Sequence, residues 1–201
     1  MIIFAYRLAW DTGFAPCLDH NVFTLACCKG GQVRRGKDIF TGLRYQIGQY
    51  RSRNPKDEIS LLGIYKDHLL YYAMITDIML MTEYFSQKGK MEFGRRTDQI
   101  YDVRDDMLVR NDALPHIHPK GEAQIRQDRN GVYVLISKSF TYFGTNAPVI
   151  SGEMINLLPK NRECKRYAGS SPEGMKIHEY AMRTIGSFGG VAGIPHDRLY
   201  D

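Results

Sequence analysis

Four cysteines are all that the 201-residue sequence holds, Cys17, Cys27, Cys28 and Cys164, and no two stand in a CxxC pair. The adjacent Cys27 and Cys28 cannot bridge each other without strain, so no disulfide framework is predicted. Reduced thiols in a reducing compartment are the expectation. Long apolar runs are also missing: no stretch approaches the ~20 residues that span a bilayer. The opening run Ile2-Ile3-Phe4-Ala5-Tyr6 is broken by Arg7, Trp10 and Asp11 too early for a signal-peptide core, which predicts a cytoplasmic protein without a membrane partner. GxGxxG, HExxH, GxSxG, the GxxxxGK[ST] loop and the zinc-deaminase pattern HxE…PCxxC are all absent, so no cofactor is predicted and the familiar nucleotide-cofactor enzymes are unsupported. No internal repeat or low-complexity tract interrupts the chain.

What is present has ordinary globular proportions, with 43% hydrophobic and 24% charged residues. A chain of this length buries roughly 70% of its unfolded surface and needs no metal or disulfide staple. Lys and Arg number 27 against 22 Asp and Glu, a formal charge of +5. This modest excess helps attract an anionic partner such as a nucleotide or nucleic acid through its long-range field and by counterion release, although many proteins of the same balance bind no polyanion.

The pattern predicts an α+β protein: a small mixed β-barrel or sheet core with peripheral helices. One domain is expected over residues 1–201, β-rich to about residue 145 and helical over about 146–201. Strands are predicted over residues 2–10, 21–28, 38–43, 60–65, 69–80 and 132–137, each closed by a turn signal such as Lys66-Asp67 or Asn130-Gly131. A helix capped by Thr82 is expected after the 69–80 strand. Residues 46–57 read as an exposed polar loop, 94–131 as a long surface loop, and 160–172 as a polar linker. Ser151 is placed to cap a helix to Leu158, and Ile177, Tyr180, Ala181 and Ile185 recur at helical spacing before Gly189-Gly190.

Four segments carry candidate chemistry. In Asp11-Thr12-Gly13-Phe14-Ala15-Pro16, backbone N–H groups near Thr12 and Gly13 can cradle a phosphate or base, Phe14 offers a stacking face, and Asp11 an acid, base or acceptor. The same residues also serve a plain strand reversal. In Cys27-Cys28-Lys29-Gly30-Gly31, followed by Arg34-Arg35, a Gly-Gly turn beside three cations makes an anion site. Cys27 is a nucleophile there only where a neighbour lowers its pKa, and otherwise a buried structural thiol. In Pro115-His116-Ile117-His118-Pro119, His116 is a candidate general base; with no third ligand in register for the His116 and His118 pair, no metal is assigned. In Ser137-Lys138-Ser139-Phe140-Thr141-Tyr142-Phe143-Gly144, aromatic and small polar residues alternate. That pattern suits a base-stacking platform of Ser137, Phe140 and Tyr142 or a hairpin whose Phe140 and Tyr142 fill the core.

In order and spacing, several of these pieces resemble the nucleotide modification associated domain 2 family. They are Asp11-Thr12-Gly13-Phe14-Ala15-Pro16, Phe23-Thr24-Leu25-Ala26-Cys27-Cys28-Lys29, Arg34-Arg35-Gly36-Lys37-Asp38-Ile39, Tyr72-Ala73-Met74-Ile75-Thr76 with Tyr84-Phe85, Val134-Leu135-Ile136-Ser137 and Tyr142-Phe143-Gly144. The likeness extends to Gly193-Ile194-Pro195 and departs from the family pattern at Lys37-Asp38 and over residues 46–65. It implies a place in the phage and bacterial systems that modify DNA bases. The strand-rich half also looks like the barrel of PUA-like domains, which bind modified bases or RNA in an aromatic cleft; that likeness concerns fold alone. The combined expectation is a protein that seats a nucleobase between Asp11–Pro16 and Phe140–Gly144, with Lys29, Arg34 and Arg35 on phosphate and Asp11 or His116 on the base edge. The alternatives are an enzyme of the same pathway using Asp11, Cys27 or His116, and a protein-interaction module with no small-molecule site.

Overall fold

The computed structural model describes residues 1–111 and 122–197. In chain order the elements are β1 (Ile2–Leu8), β2 (Phe23–Leu25), β3 (Gln32–Arg34), β4 (Lys37–Ile39), α1 (Leu43–Arg53), β5 (Ile59–Tyr65), β6 (His68–Met74) and β7 (Asp77–Leu80). They continue with α2 (Met81–Tyr84), α3 (Gln87–Phe93), β8 (Tyr101–Arg104), β9 (Met107–Arg110), α4 (Glu122–Arg129), β10 (Tyr133–Ser137) and β11 (Ser139–Tyr142). The last are α5 (Gly152–Leu157), β12 (Cys164–Ala168), α6 (Pro172–Ile185) and β13 (Gly190–Val191).

Six strands form the main sheet in the order β12-β1-β5-β6-β11-β13, and β2-β10-β7 form a second sheet of three. The arrangement is α+β, and of the barrel and sheet alternatives the open sheet is the one adopted. Strand alternation divides the main core in two. Phe4 and Tyr6 point with Leu61, Tyr71, Phe23, Leu135 and Phe140 toward α1, whose Leu43 and Ile47 close that layer. Ile3 and Ala5 point the other way with Leu62, Ile64 and Tyr72, onto Ile177 and Ala181 of α6. A third cluster of Cys27, Tyr84, Phe85, Ile100 and Tyr101 lies beneath the small sheet.

Four segments differ from their sequence expectation. The polar stretch after Gly42 is α1 rather than a loop: Leu43, Ile47 and Tyr50 recur at i, i+4 and i+7, a stripe too thin to stand out among glutamines and arginines. The 160–172 linker contains β12, which pairs antiparallel with β1 from Ile2↔Ala168 to Tyr6↔Cys164. The long 94–131 loop contains the β8–β9 hairpin and α4. Residues 69–80 are two strands in two sheets, separated at Ile75-Thr76. No helix among the described residues is long and apolar enough to cross a membrane.

Candidate functional site

The loop between β2 and β3 is held on both sides by buried polar groups. Arg44, fully buried in the first turn of α1, donates from Nε to the Cys28 carbonyl at 2.7 Å, from Nη1 to Tyr133 O at 2.6 Å and from Nη2 to Asp128 O at 2.5 Å. Asp128 in turn accepts from the Cys28 backbone N–H at 2.8 Å and from the Tyr101 hydroxyl at 3.1 Å. Cys28 and Lys29 take left-handed conformations, with φ of 57° and 50°. The next residue, Gly30, passes against Gly42 so closely that a Cβ on Gly42 would lie 1.9 Å from the Gly30 oxygen. Only glycine fits that crossing.

This clasp aims Lys29 into a cavity of about 430 Å³ between the N-terminus of α1 and β12, lined also by Tyr6, Gln32, Gln46, Arg162 and Cys164. The Lys29 ammonium lies over the Tyr6 ring, 5.3 Å from its centroid. Burial, reinforced by the nearby Arg162 guanidinium, holds Lys29 below the ordinary lysine pKa. No carboxylate pairs with Lys29 or Arg162 among the described residues. Arg7 also reaches the cavity, but its guanidinium is committed to Pro159 O at 3.0 Å, to Lys66 O and to Asp67.

A second polar cluster forms around Asp11, which is almost wholly buried. Its Oδ1 accepts from the Tyr142 hydroxyl at 2.6 Å, and its Oδ2 accepts from the His196 backbone N–H at 2.9 Å. The His196 ring Nδ1 lies 3.0 Å from the same Oδ2. A carboxylate accepts, so in the neutral ring Nδ1 carries the proton and Nε2 the lone pair. The Tyr65 ring stands 4.8 Å from that imidazole, and the Tyr65 hydroxyl donates to Asp197 Oδ1 at 3.2 Å. Asp197 Oδ2 accepts from the Asp11 N–H at 2.8 Å. Behind Tyr142, the Tyr71 hydroxyl donates to that of Tyr6. Burial raises the Tyr142 and Tyr71 pKa values well above the ordinary phenol range, and the Asp11 charge adds to both.

The candidate residues therefore separate. Asp11 and Tyr142 meet directly, Lys29 belongs to the cavity, and His196, which no motif singled out, joins Asp11 across 185 positions of sequence. Phe14 and Phe140 are core residues, the latter 5.8 Å from the Phe23 ring, and neither presents a stacking face. Gly13 sits against Pro195, where an added Cβ would fall 2.6 Å from the proline Cγ, and Thr12 accepts from the Phe14 N–H at 3.4 Å. Ser137 is buried and donates to Ser139 O at 3.0 Å. Arg34 and Arg35 are exposed on the β3–β4 hairpin and do not line the cavity. Cys27 is fully buried, with its thiol 3.5 Å from Asp98 O and pushed far up by burial; Cys28 is raised to about 12, again chiefly by burial. Neither is a thiolate at neutral pH. His116 and His118 lie outside the described residues. Among the described residues, no group of three His, Cys, Asp or Glu side chains is arranged to hold a metal.

The model of one protein family, nucleotide modification associated domain 2, matches residues 1–172. The chain belongs to that family. The matched span runs from β1 through β12, and so contains Asp11, Lys29, α1 and Tyr142, while His196 lies beyond it. It also runs through residues 46–65, where the motif likeness departed. Family membership links the chain to nucleotide modification systems. No curated protein and no solved structure matches the chain.

Proposed function

We propose that this family member binds a nucleotide through its phosphate in the Lys29 cavity and serves a nucleotide modification system in that capacity. One observation carries the reading: Lys29 and Arg162, close enough to depress the lysine pKa, face one cavity whose single acidic lining residue, Glu163, pairs with Lys165 rather than with either of them. A half-buried charge left unneutralised is costly and is commonly kept for a ligand. The cavity volume of about 430 Å³ falls within the range of small-molecule sites. The expected cleft with a basic rim is thereby proposed at α1 and β12 rather than between Asp11 and Phe140. Titration calorimetry with nucleoside monophosphates tests it. Binding that is lost in Lys29→Met and weakened in Arg162→Ala supports the reading, and wild-type protein that takes up no nucleotide refutes it.

The Asp11–His196 contact favours a second reading, an enzyme of the same pathway in which His196 Nε2 moves a proton while Asp11 fixes the tautomer. Mass spectrometry of nucleosides exposed to wild-type protein, Asp11→Asn and His196→Ala tests this reading. A product formed equally by all three would remove both residues from the reaction.

A further inference from the structure

The Lys29 cavity does not end at α1. Thr41 and Gln46 line it and also line a second hollow of about 440 Å³, so the two meet at these residues. The second hollow follows the same helix, with Tyr45, Gln49 and Arg53 at i, i+4 and i+8, and Tyr50 beside them. Its opposite wall is β12: Cys164 faces the first hollow and Arg166, two residues on, faces the second. Strand periodicity keeps both on one face. The result is a groove that runs the length of α1, about 16 Å for 11 residues.

Its chemistry is consistent along that length. Lys29, Arg162, Arg166 and Arg53 project into it, none in an ion pair among the described residues, and Glu163 is the one acidic residue of either lining. The nearby Asp57 is taken by the Tyr50 hydroxyl at 2.5 Å. Aromatic faces alternate with these cations. Phe40 is 45% exposed, an unusual position for a large apolar ring, and its centroid lies 5.4 Å from that of Tyr45. A small anion needs only the first hollow. Cations spaced along the strand wall and at the far end of the helix, with an exposed Phe40 and a half-buried Tyr45 between them, match a chain of phosphates carrying bases.

Resting on the nucleotide reading above, we propose that the α1–β12 groove binds a single-stranded polynucleotide, with one phosphate at Lys29 and Arg162 and the adjoining base stacked on Phe40 and Tyr45. The strand must be single because a ring face is offered to a base only when it is unstacked from its neighbour. A duplex presents phosphates but no base face to the groove.

Fluorescence anisotropy with the full chain decides this, using thymidine monophosphate as competitor and labelled hexamers of dT, of U and of a blunt duplex. Either single-stranded hexamer is expected to bind at least about tenfold more tightly than the monophosphate. Phe40→Ala, which removes no charge, is expected to lose about tenfold in hexamer affinity and none in monophosphate affinity. Arg166→Ala loses hexamer affinity and flattens its salt dependence. A hexamer no tighter than the monophosphate, a duplex that competes equally, or an unaffected Phe40→Ala overturns the groove while the nucleotide cavity stands. Failure of both monophosphate and hexamer to bind overturns both readings.

Discussion

His196 reaches Asp11 twice, through its backbone N–H at 2.9 Å and its ring Nδ1 at 3.0 Å, both on Oδ2. The other oxygen of Asp11 is engaged by Tyr142 at 2.6 Å, so every donor around this buried carboxylate is matched. Asp11→Asn turns one acceptor into a donor facing donors. It is expected to cost about 1–3 kcal/mol, the price of buried groups left without partners. Tyr142→Phe removes a single donor and costs less, about 1 kcal/mol. Urea unfolding of the two variants gives the ranking, and equal stability to wild type would mean that the cluster is not formed in solution.

Lys29 supplies a pH signature. Its pKa in the folded protein is lowered from the ordinary lysine value, first by burial and then by Arg162, so the unfolded chain holds more protons between the two values. Stability from this group therefore rises with pH across that window and is lost as pH falls through the lowered value. Lys29→Met deletes the charge, and the difference between variant and wild-type unfolding curves isolates the contribution of Lys29 from that of other titrating groups. The variant is expected to be the more stable protein at neutral pH and the poorer nucleotide binder.

Nucleotide binding should run in the opposite sense. A phosphate beside Lys29 favours the ammonium form, so binding takes up a proton as pH climbs through the lowered value and weakens above it. Calorimetry in two buffers of different ionisation enthalpy reads the uptake directly. Its absence would place the phosphate away from Lys29.

Gly42→Ala is expected to damage both stability and binding. The new Cβ would sit 1.9 Å from the Gly30 oxygen and 2.4 Å from the Lys29 oxygen, so the loop itself must shift. A cost of about 1–3 kcal/mol follows from overpacking. Unfolding and nucleotide titration of one preparation check the two effects together.

Arg44→Met leaves the carbonyls of Cys28, Asp128 and Tyr133 without their donor. The expected loss is about 3–5 kcal/mol. Arg44→Lys keeps the charge but not the planar fork and should recover only part of it. Thermal melts of the pair separate geometry from charge.

The legibility of this chain in its sequence follows the range of the forces involved. β1, β5 and β10 stand out because β-branched and aromatic residues run unbroken to a turn signal such as Lys66-Asp67. α6 is legible because Ile177 and Ala181 repeat at helical spacing behind the Ser171 cap, which accepts from the Gly174 N–H at 3.0 Å. α1 is not, since its largest buried side chain is an arginine satisfied by carbonyls 16, 84 and 89 residues away. β12 escapes notice because an edge strand of Lys165, Arg166 and Tyr167 has no local pattern, and its partner β1 lies near the other end of the sequence. Asp11 and Lys29 were visible as chemistry beside turns. Their neighbours His196, Arg162 and Arg166 are set by pairings that only the folded chain makes.

The pairing of Ile2 with Ala168 also sets the tempo of folding. β1 gains β5 after a loop of some fifty residues but acquires its second neighbour only when the chain closes across most of its length. Contacts so remote in sequence form late, because the entropy of closure is spent before any packing is gained. Until then the Ile-Ile-Phe-Ala-Tyr edge stands open to strands of other molecules. Refolding yield should fall with protein concentration, and the charged strand that walls the groove doubles as the guard that ends that exposure.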